Sequence, residues 1–185
     1  MHNFHRDDPY LSLCGLNCKL CTMHIGNYCP GCGQGAGNQP CAIARCSIKH
    51  EGITYCFQCG AYPCKLYDDC TCYDSFITHQ HQLQDMKKAM EYGIAAYHTE
   101  QQEKVMILKE LLDHYNEGRS KNCYCVAVNL LTLSDLQTVM VKLHSIPETD
   151  SIKVKAATAK AMFQALADEQ HISLKLRKKP KVEKV

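Results

Sequence analysis

The chain has 185 residues, 45% of them hydrophobic and 22% charged, with a formal net charge of +2; this suffices for a folded core in one ordinary domain or two small ones. No stretch approaches the apolar length of a membrane span, and Met1 to Tyr10 carries Asp7 and Asp8 instead of an apolar run, so no signal peptide is expected. Fourteen cysteines without an export signal point away from a secreted disulfide scaffold and towards a reduced, cytoplasmic metalloprotein.

Twelve of the 14 cysteines fall between Cys14 and Cys72, in close pairs and triplets. Cys14, Cys18 and Cys21 come first, then Cys29 and Cys32, Cys41 and Cys46, Cys56, Cys59 and Cys64, and finally Cys70 and Cys72. Short loops that present sulfurs a few residues apart suit a soft metal ion, so all twelve are candidate ligands. The segment is rich in Gly, Pro and Asn and has no sustained period of 3.6 or 2. It reads as loops and turns, with a few short strands at most, and depends on metal bonds in place of a large aliphatic core. The glycine-rich stretch Gly31 to Gly37 follows no strand and leads to no lysine and hydroxyl pair, so it is turn chemistry and not a phosphate loop.

From Asp74 the texture becomes helical. Leu83, Met86, Met90, Ile94 and Tyr97 recur at intervals of three and four, which predicts one helix over roughly 75 to 98. A second follows with Val105, Leu108, Leu111, Leu112 and Tyr115 inward and Gly118 as its stop. Ser134 and Gln137 have the spacing of a capping box and open a third helix, with Leu136, Val139, Met140 and Leu143 buried and Pro147 closing the region. A fourth runs from about Ser151 to Asp168 with Ile152, Ala156, Ala159, Phe163 and Leu166 inward, its alanines allowing close packing. Ile172, Leu174 and Leu176 alternate with polar residues and suggest a short strand. These apolar stripes are plain core.

Cys29-Pro-Gly-Cys32-Gly33 and Cys56-Phe-Gln-Cys59-Gly60 both have the form of a zinc knuckle. In such a knuckle turn amides donate to a sulfur and the glycine takes a positive φ, and two knuckles together complete a tetrahedral four-cysteine site. Cys14, Cys18 and Cys21 are spaced like the cluster ligands of radical enzymes that use S-adenosylmethionine, but the strand and helix repeats of that class are missing. The same three sulfurs could take a fourth from Cys41, Cys46 or Cys64. A thioredoxin-type dithiol at Cys29 and Cys32 lacks its βαβ setting, so ligation is favoured over catalysis. Cys123 and Cys125, placed between helices, either pack back against the metal region or are ordinary buried thiols. His24 and His50 lie among the cysteines and are expected to be solvent-facing or hydrogen-bonded. No catalytic motif is present, and no acid pair stands out.

Charge bears on partners. Residues 10 to 74 hold as many acids as bases, and four thiolates on Zn²⁺ add a net charge of about −2 per site, so this lobe repels phosphate. Any nucleic-acid contact falls to the basic tail Lys175 to Lys184, whose bland reading is a solvated end. No partner is named by the sequence, and a protein partner is compatible with it.

Taken together, Cys14-Gly-Leu-Asn-Cys18 with Cys21, Cys29-Pro-Gly-Cys32, Cys41 with Cys46, Cys56-Phe-Gln-Cys59 and Ala61-Tyr-Pro-Cys64 resemble one prokaryotic family of uncharacterised Cys-rich proteins, domain-of-unknown-function family 3795, over about residues 12 to 70. The resemblance implies a bacterial or archaeal cytoplasmic protein with a zinc-binding module and no established reaction. The expected architecture is α-rich and irregular: a metal-stapled Cys-rich lobe at 1–74 joined to a helical domain at 75–185 that contains a bundle of about four helices and the basic tail. The expected cofactor is zinc, two or three ions held structurally in a binding or regulatory module. The alternative is an iron–sulfur or thiol redox protein, with [4Fe-4S] on the same cysteines.

Overall fold

The structure is a computed structural model, and it describes residues 4–35, 41–50, 52–68, 70 and 72–179. The far end of the glycine-rich stretch, Gly37, and the tail residues Lys181 to Lys184 lie outside the described residues. Within them the fold is α-rich and irregular at its N-terminal end. It has seven α-helices: α1 (Thr22–Ile25), α2 (Ala42–Lys49), α3 (Gln82–Tyr92), α4 (Ile94–His114), α5 (Lys121–Leu130), α6 (Leu133–His144) and α7 (Ile152–Glu169). Short 3-10 turns at Cys18–Leu20, Cys56–Gln58 and Lys65–Tyr67 punctuate the cysteine segment. No strand forms among the described residues; a single antiparallel bridge joins Leu11 to Asn17.

The helical body differs from the periodicity reading in several places. The first predicted helix begins late, at Gln82, and breaks at Gly93, whose φ of +85° a helix cannot continue through. The break turns Met90 outward, 53% exposed, and leaves Gln82, Met86 and Ala89 as the buried stripe of α3. Past the break, α4 takes in the second predicted helix, with Tyr97, Gln101, Lys104, Leu108 and Leu111 on its inner side.

Helix α5 has no counterpart in the sequence reading. Every residue from Tyr124 to Leu130 is buried, so α5 is packed on all sides and shows no amphipathic stripe to find. Cys123 and Cys125 therefore sit within a helix and not between helices: Cys123 is half-buried, and Cys125 belongs to the bundle core.

The cap of α6 is Thr132, not Ser134. Thr132 Oγ1 accepts the Asp135 amide at 3.2 Å and donates to Asp135 Oδ2 at 2.7 Å, while Gln137 reaches across to Glu103. Either cap buries the same apolar face, so periodicity cannot choose between them. Helix α7 starts about where the sequence placed it, capped by Ser151, but Ile152 is 42% exposed, and the inner face starts at Ala156.

The expected strand at Ile172 to Leu176 is an extended arm. Leu174 is buried, and Ile172 and Leu176 lean on the bundle core. Alternation here reports two faces, but no neighbouring strand completes a ladder. The arm is pinned instead at Asp74, whose amide donates to the Arg177 carbonyl at 2.9 Å and whose carboxylate accepts the Arg177 amide and guanidinium, each at 2.7 Å. No helix among the described residues is long and apolar enough to cross a membrane.

The cysteine segment is built onto this body. Leu20 packs in the same core as Leu108, Tyr124 and Phe163. Asn129 donates to the carbonyls of Leu20 and Cys125, and Gln82 donates to the carbonyl of Cys14 at 2.9 Å. Gly15, at φ +98°, lies so close to α3 that a Cβ there would meet Met86 Cγ at 2.4 Å.

Candidate functional site

Ten of the twelve predicted ligands are sorted into two cavities. Cys14, Cys18, Cys21, Cys29, Cys32 and Cys41 line the first, of about 320 Å³, whose walls include Phe4, Met23, His24, Tyr28, Phe76 and Ile77. Cys46, Cys56, Cys59 and Cys64 line the second, a slot of about 30 Å³ shared with His50, Tyr62 and Tyr67. The two knuckles do not meet: Cys29 and Cys32 belong to the first cavity, Cys56 and Cys59 to the second. Leu13 sits between the groups, its amide near the Cys32 sulfur and its carbonyl accepting the Cys56 amide at 3.0 Å.

The local chain explains why sulfurs gather there. Tight turns at Gly15, Gly31 and Gly33, all at positive φ, reverse the backbone between ligand pairs. Gly33 also packs against Arg6, whose backbone nitrogen a Cβ would approach to 2.8 Å. The glycine of the first knuckle thus behaves as expected. Gly60, in the second, does not take a positive φ and faces open space.

Polar groups lie near several of these sulfurs and favour their ionised form: the Cys32 amide by Cys18, the Met23 and His24 amides by Cys21, Arg6 by Cys32 and the Tyr67 hydroxyl by Cys56. Ser12 Oγ stands 3.3 Å from Cys14 Sγ, Cys21 Sγ lies 3.8 Å from the Phe76 carbonyl, and the Tyr67 hydroxyl donates to the Cys14 carbonyl at 3.2 Å. Amide and cationic donors around sulfur favour the thiolate, the form that ligates metal. Burial acts in the opposite direction. It pushes the Cys18 thiol up to about 12 and Cys56 to about 11, and it raises Cys14, Cys21 and Cys32, with neighbouring sulfurs adding to the effect.

A soft cation answers both demands at once, because it replaces the lost solvation and displaces the thiol protons. The donor set therefore fits a thiophilic metal. Among the described residues no three cysteine, histidine or acidic side chains stand at coordinating separations.

Cys70 and Cys72 line neither cavity. Cys70 Sγ lies 3.0 Å from the Leu66 carbonyl, and Cys72 is exposed, 3.7 Å from the Asp68 carbonyl. His24 Nδ1 is 3.2 Å from the Cys29 carbonyl, the hydrogen-bonded histidine that was expected, although it also faces the first cavity.

No family model, curated protein or solved structure matches the chain.

Sequence reasoning missed the residues that hold the site together. Arg6 is 5% exposed, donates to the carbonyls of Thr54 and Leu11, and lies over the Tyr55 ring. Asp8 accepts the Tyr55 hydroxyl at 2.7 Å and sits 3.0 Å from His98 Nε2, outside hydrogen-bond geometry. Asn17 links Asp85 on α3, at 3.0 Å, to Tyr97 on α4, at 2.8 Å. Burial lifts the Asp85 carboxyl to about 7 against the opposing field of Lys104. None of these carries a motif. Their only sequence signal is a polar residue beside a cysteine group or on an apolar helix face.

Proposed function

We propose that residues 1–74 form a zinc-binding lobe whose metal sites are structural, in a protein that acts as a binding or regulatory module of a reducing, cytoplasmic compartment. The observation that carries this reading is the sorting of ten cysteines into two sulfur-lined cavities, with amides near the sulfurs that favour their ionised form. Such donors suit metal-bound thiolates. The raised thiol pKa values count against a free nucleophilic cysteine, which needs a lowered one. Kinship with domain-of-unknown-function family 3795 belongs to the same proposal and rests on the cysteine spacing. The lining of the first cavity offers a protein partner the exposed Tyr28 from the lobe and Phe76 from just beyond it.

The competing reading, an iron–sulfur protein, draws on the same all-sulfur donor set. Metal analysis and a visible spectrum of anaerobically purified protein separate the two. Colourless protein with two or three zinc ions per chain is expected, whereas stoichiometric iron with colour that bleaches on reduction would overturn the zinc assignment. Chelation tests the structural role: circular dichroism and proteolytic resistance of residues 1–74 should both fall when metal is removed.

A further inference from the structure

Ser75, Phe76 and Ile77 form one wall of the first cavity. Towards the lobe this wall is tied through the Phe76 carbonyl, which accepts the Thr22 hydroxyl at 3.2 Å. Both flanks of the wall are held by the C-terminal arm. On one flank Asp74 and Arg177 exchange backbone and side-chain hydrogen bonds, and Lys179 Nζ lies 5.2 Å from the centre of the Tyr73 ring. On the other, Gln80 Nε2 donates to the Ser173 carbonyl at 3.2 Å.

The chemistry of the first flank makes arm and wall move together. The Asp74 side chain is 0% exposed, whereas that of Arg177 is 34% exposed. A buried carboxylate that loses its cation is left as an uncompensated charge, which the interior tolerates poorly. Asp74 can recover solvation only by moving outward, and Ser75 to Ile77 follow it along the chain. The arm itself is easily detached. It forms no helix or strand, and it carries Lys175, Arg177, Lys178 and Lys179 in close succession, whose mutual repulsion favours release.

We infer that the C-terminal arm is a strap on the first cavity: docked, it holds the wall of Ser75 to Ile77 in place, and released, it lets Asp74 turn to water and opens that wall. The inference concerns the wall and not its contents. It therefore goes beyond the zinc-binding reading and does not rest on it.

Hydrogen exchange of the full-length protein, followed by mass spectrometry, tests the strap. Arg177→Gln removes the cation but keeps a long polar side chain. Amides of residues 73–80 should then exchange about tenfold faster than in the wild type, as expected for loss of one partly exposed charge-assisted pair, while peptides from α6 keep their wild-type rates. Combining Asp74→Asn with Arg177→Gln leaves no stranded charge. In that double variant residues 172–179 should stay fast while residues 73–80 return towards the wild-type rate. Unchanged exchange at 73–80 in Arg177→Gln, or a double variant as fast there as the single one, would overturn the strap. If Arg177→Gln misfolds, with fast exchange in α6 as well, the wild-type protein decides. Its Asp74, His79 and Arg177 amides, which all bond across this joint, should open with one shared protection factor below that of α5. A His79 amide as protected as α5 beside a fast Arg177 amide would show that arm and wall move separately, and the inference would fall. Metal analysis tests the zinc-binding reading separately, so the two can fail independently.

Discussion

Replacing Gly15 with alanine perturbs the contact between the first cysteine loop and the helical body. Two costs add. Gly15 sits at φ +98°, where an L side chain costs about 1–2 kcal/mol. The new methyl would also stand 2.4 Å from Met86 Cγ and 2.7 Å from the Gln82 carbonyl oxygen. Met86 is fully buried and the carbonyl belongs to α3, so neither yields cheaply, and overpacking of this kind costs about 1–3 kcal/mol. The sum is about 2–5 kcal/mol, a fall in melting temperature of roughly 5–15 °C for a chain of this size.

Two sister variants separate the terms. Gly93→Ala has a positive φ of +85° but nothing within 4 Å of the new Cβ, so it isolates the backbone cost. Gly60→Ala has neither, and reports only the gain of about 0.4–1 kcal/mol from a stiffer unfolded chain, common to all three. Thermal denaturation of the purified protein, followed at 222 nm, should rank stability in the order Gly60→Ala, Gly93→Ala, Gly15→Ala. If Gly15→Ala melts within about 2 °C of Gly93→Ala, the close approach of the cysteine loop to α3 is wrong.

Three further outcomes are expected. Asp85 has its folded pKa raised to about 7 by burial, so the folded state holds a proton that the unfolded state loses near pH 4; stability should fall as pH rises through this window, by at most about 1.4 kcal/mol per pH unit, and urea titrations of Asp85→Asn between pH 5.5 and 8.5 should lack that slope. Burial favours the neutral Asp74 carboxyl, but hydrogen bonds from Arg177 and the His79 amide outweigh it and hold the pKa below the usual range. Asp74→Ala should therefore free the C-terminal arm, with a loss of about 1–3 kcal/mol and rapid tryptic cleavage at Lys175 and Arg177; an arm as protected as in the wild type would refute the anchor. Tyr97→Phe leaves the buried Asn17 carbonyl oxygen without its 2.8 Å donor, which should cost about 1–3 kcal/mol in a denaturant titration, and an unchanged midpoint would show that the bond contributes nothing.

The parts of the fold legible in the sequence are those in which one face meets water. The stripes Leu108 and Leu111, Leu136 to Leu143, and Ala156, Ala159 and Phe163 are buried as their periodicity requires. Where burial is complete the signal vanishes, which is why α5 could not be read. Gly93 and Met90 show the reverse problem, since a stripe can run on in sequence across a point where the backbone turns. At the candidate site, spacing identified the cysteines but not their sorting. Cavity membership depends on the placement of Leu13 and Arg6 between distant segments, and no local pattern encodes contacts such as Arg6 to Thr54.

The seating of Leu20 in the bundle core, with Asn129 holding its carbonyl, has a thermodynamic corollary. Leu20 lies between Cys18 and Cys21, so if the cavity binds a cation as proposed, any coupling between that binding and the packing of α5 is reciprocal. Substitutions deep in α5, far from any sulfur, should then alter how tightly the thiols hold a cation, and occupancy of the cavity should slow hydrogen exchange in α5. Reciprocity of this kind makes the bundle a gauge of what the cysteines carry.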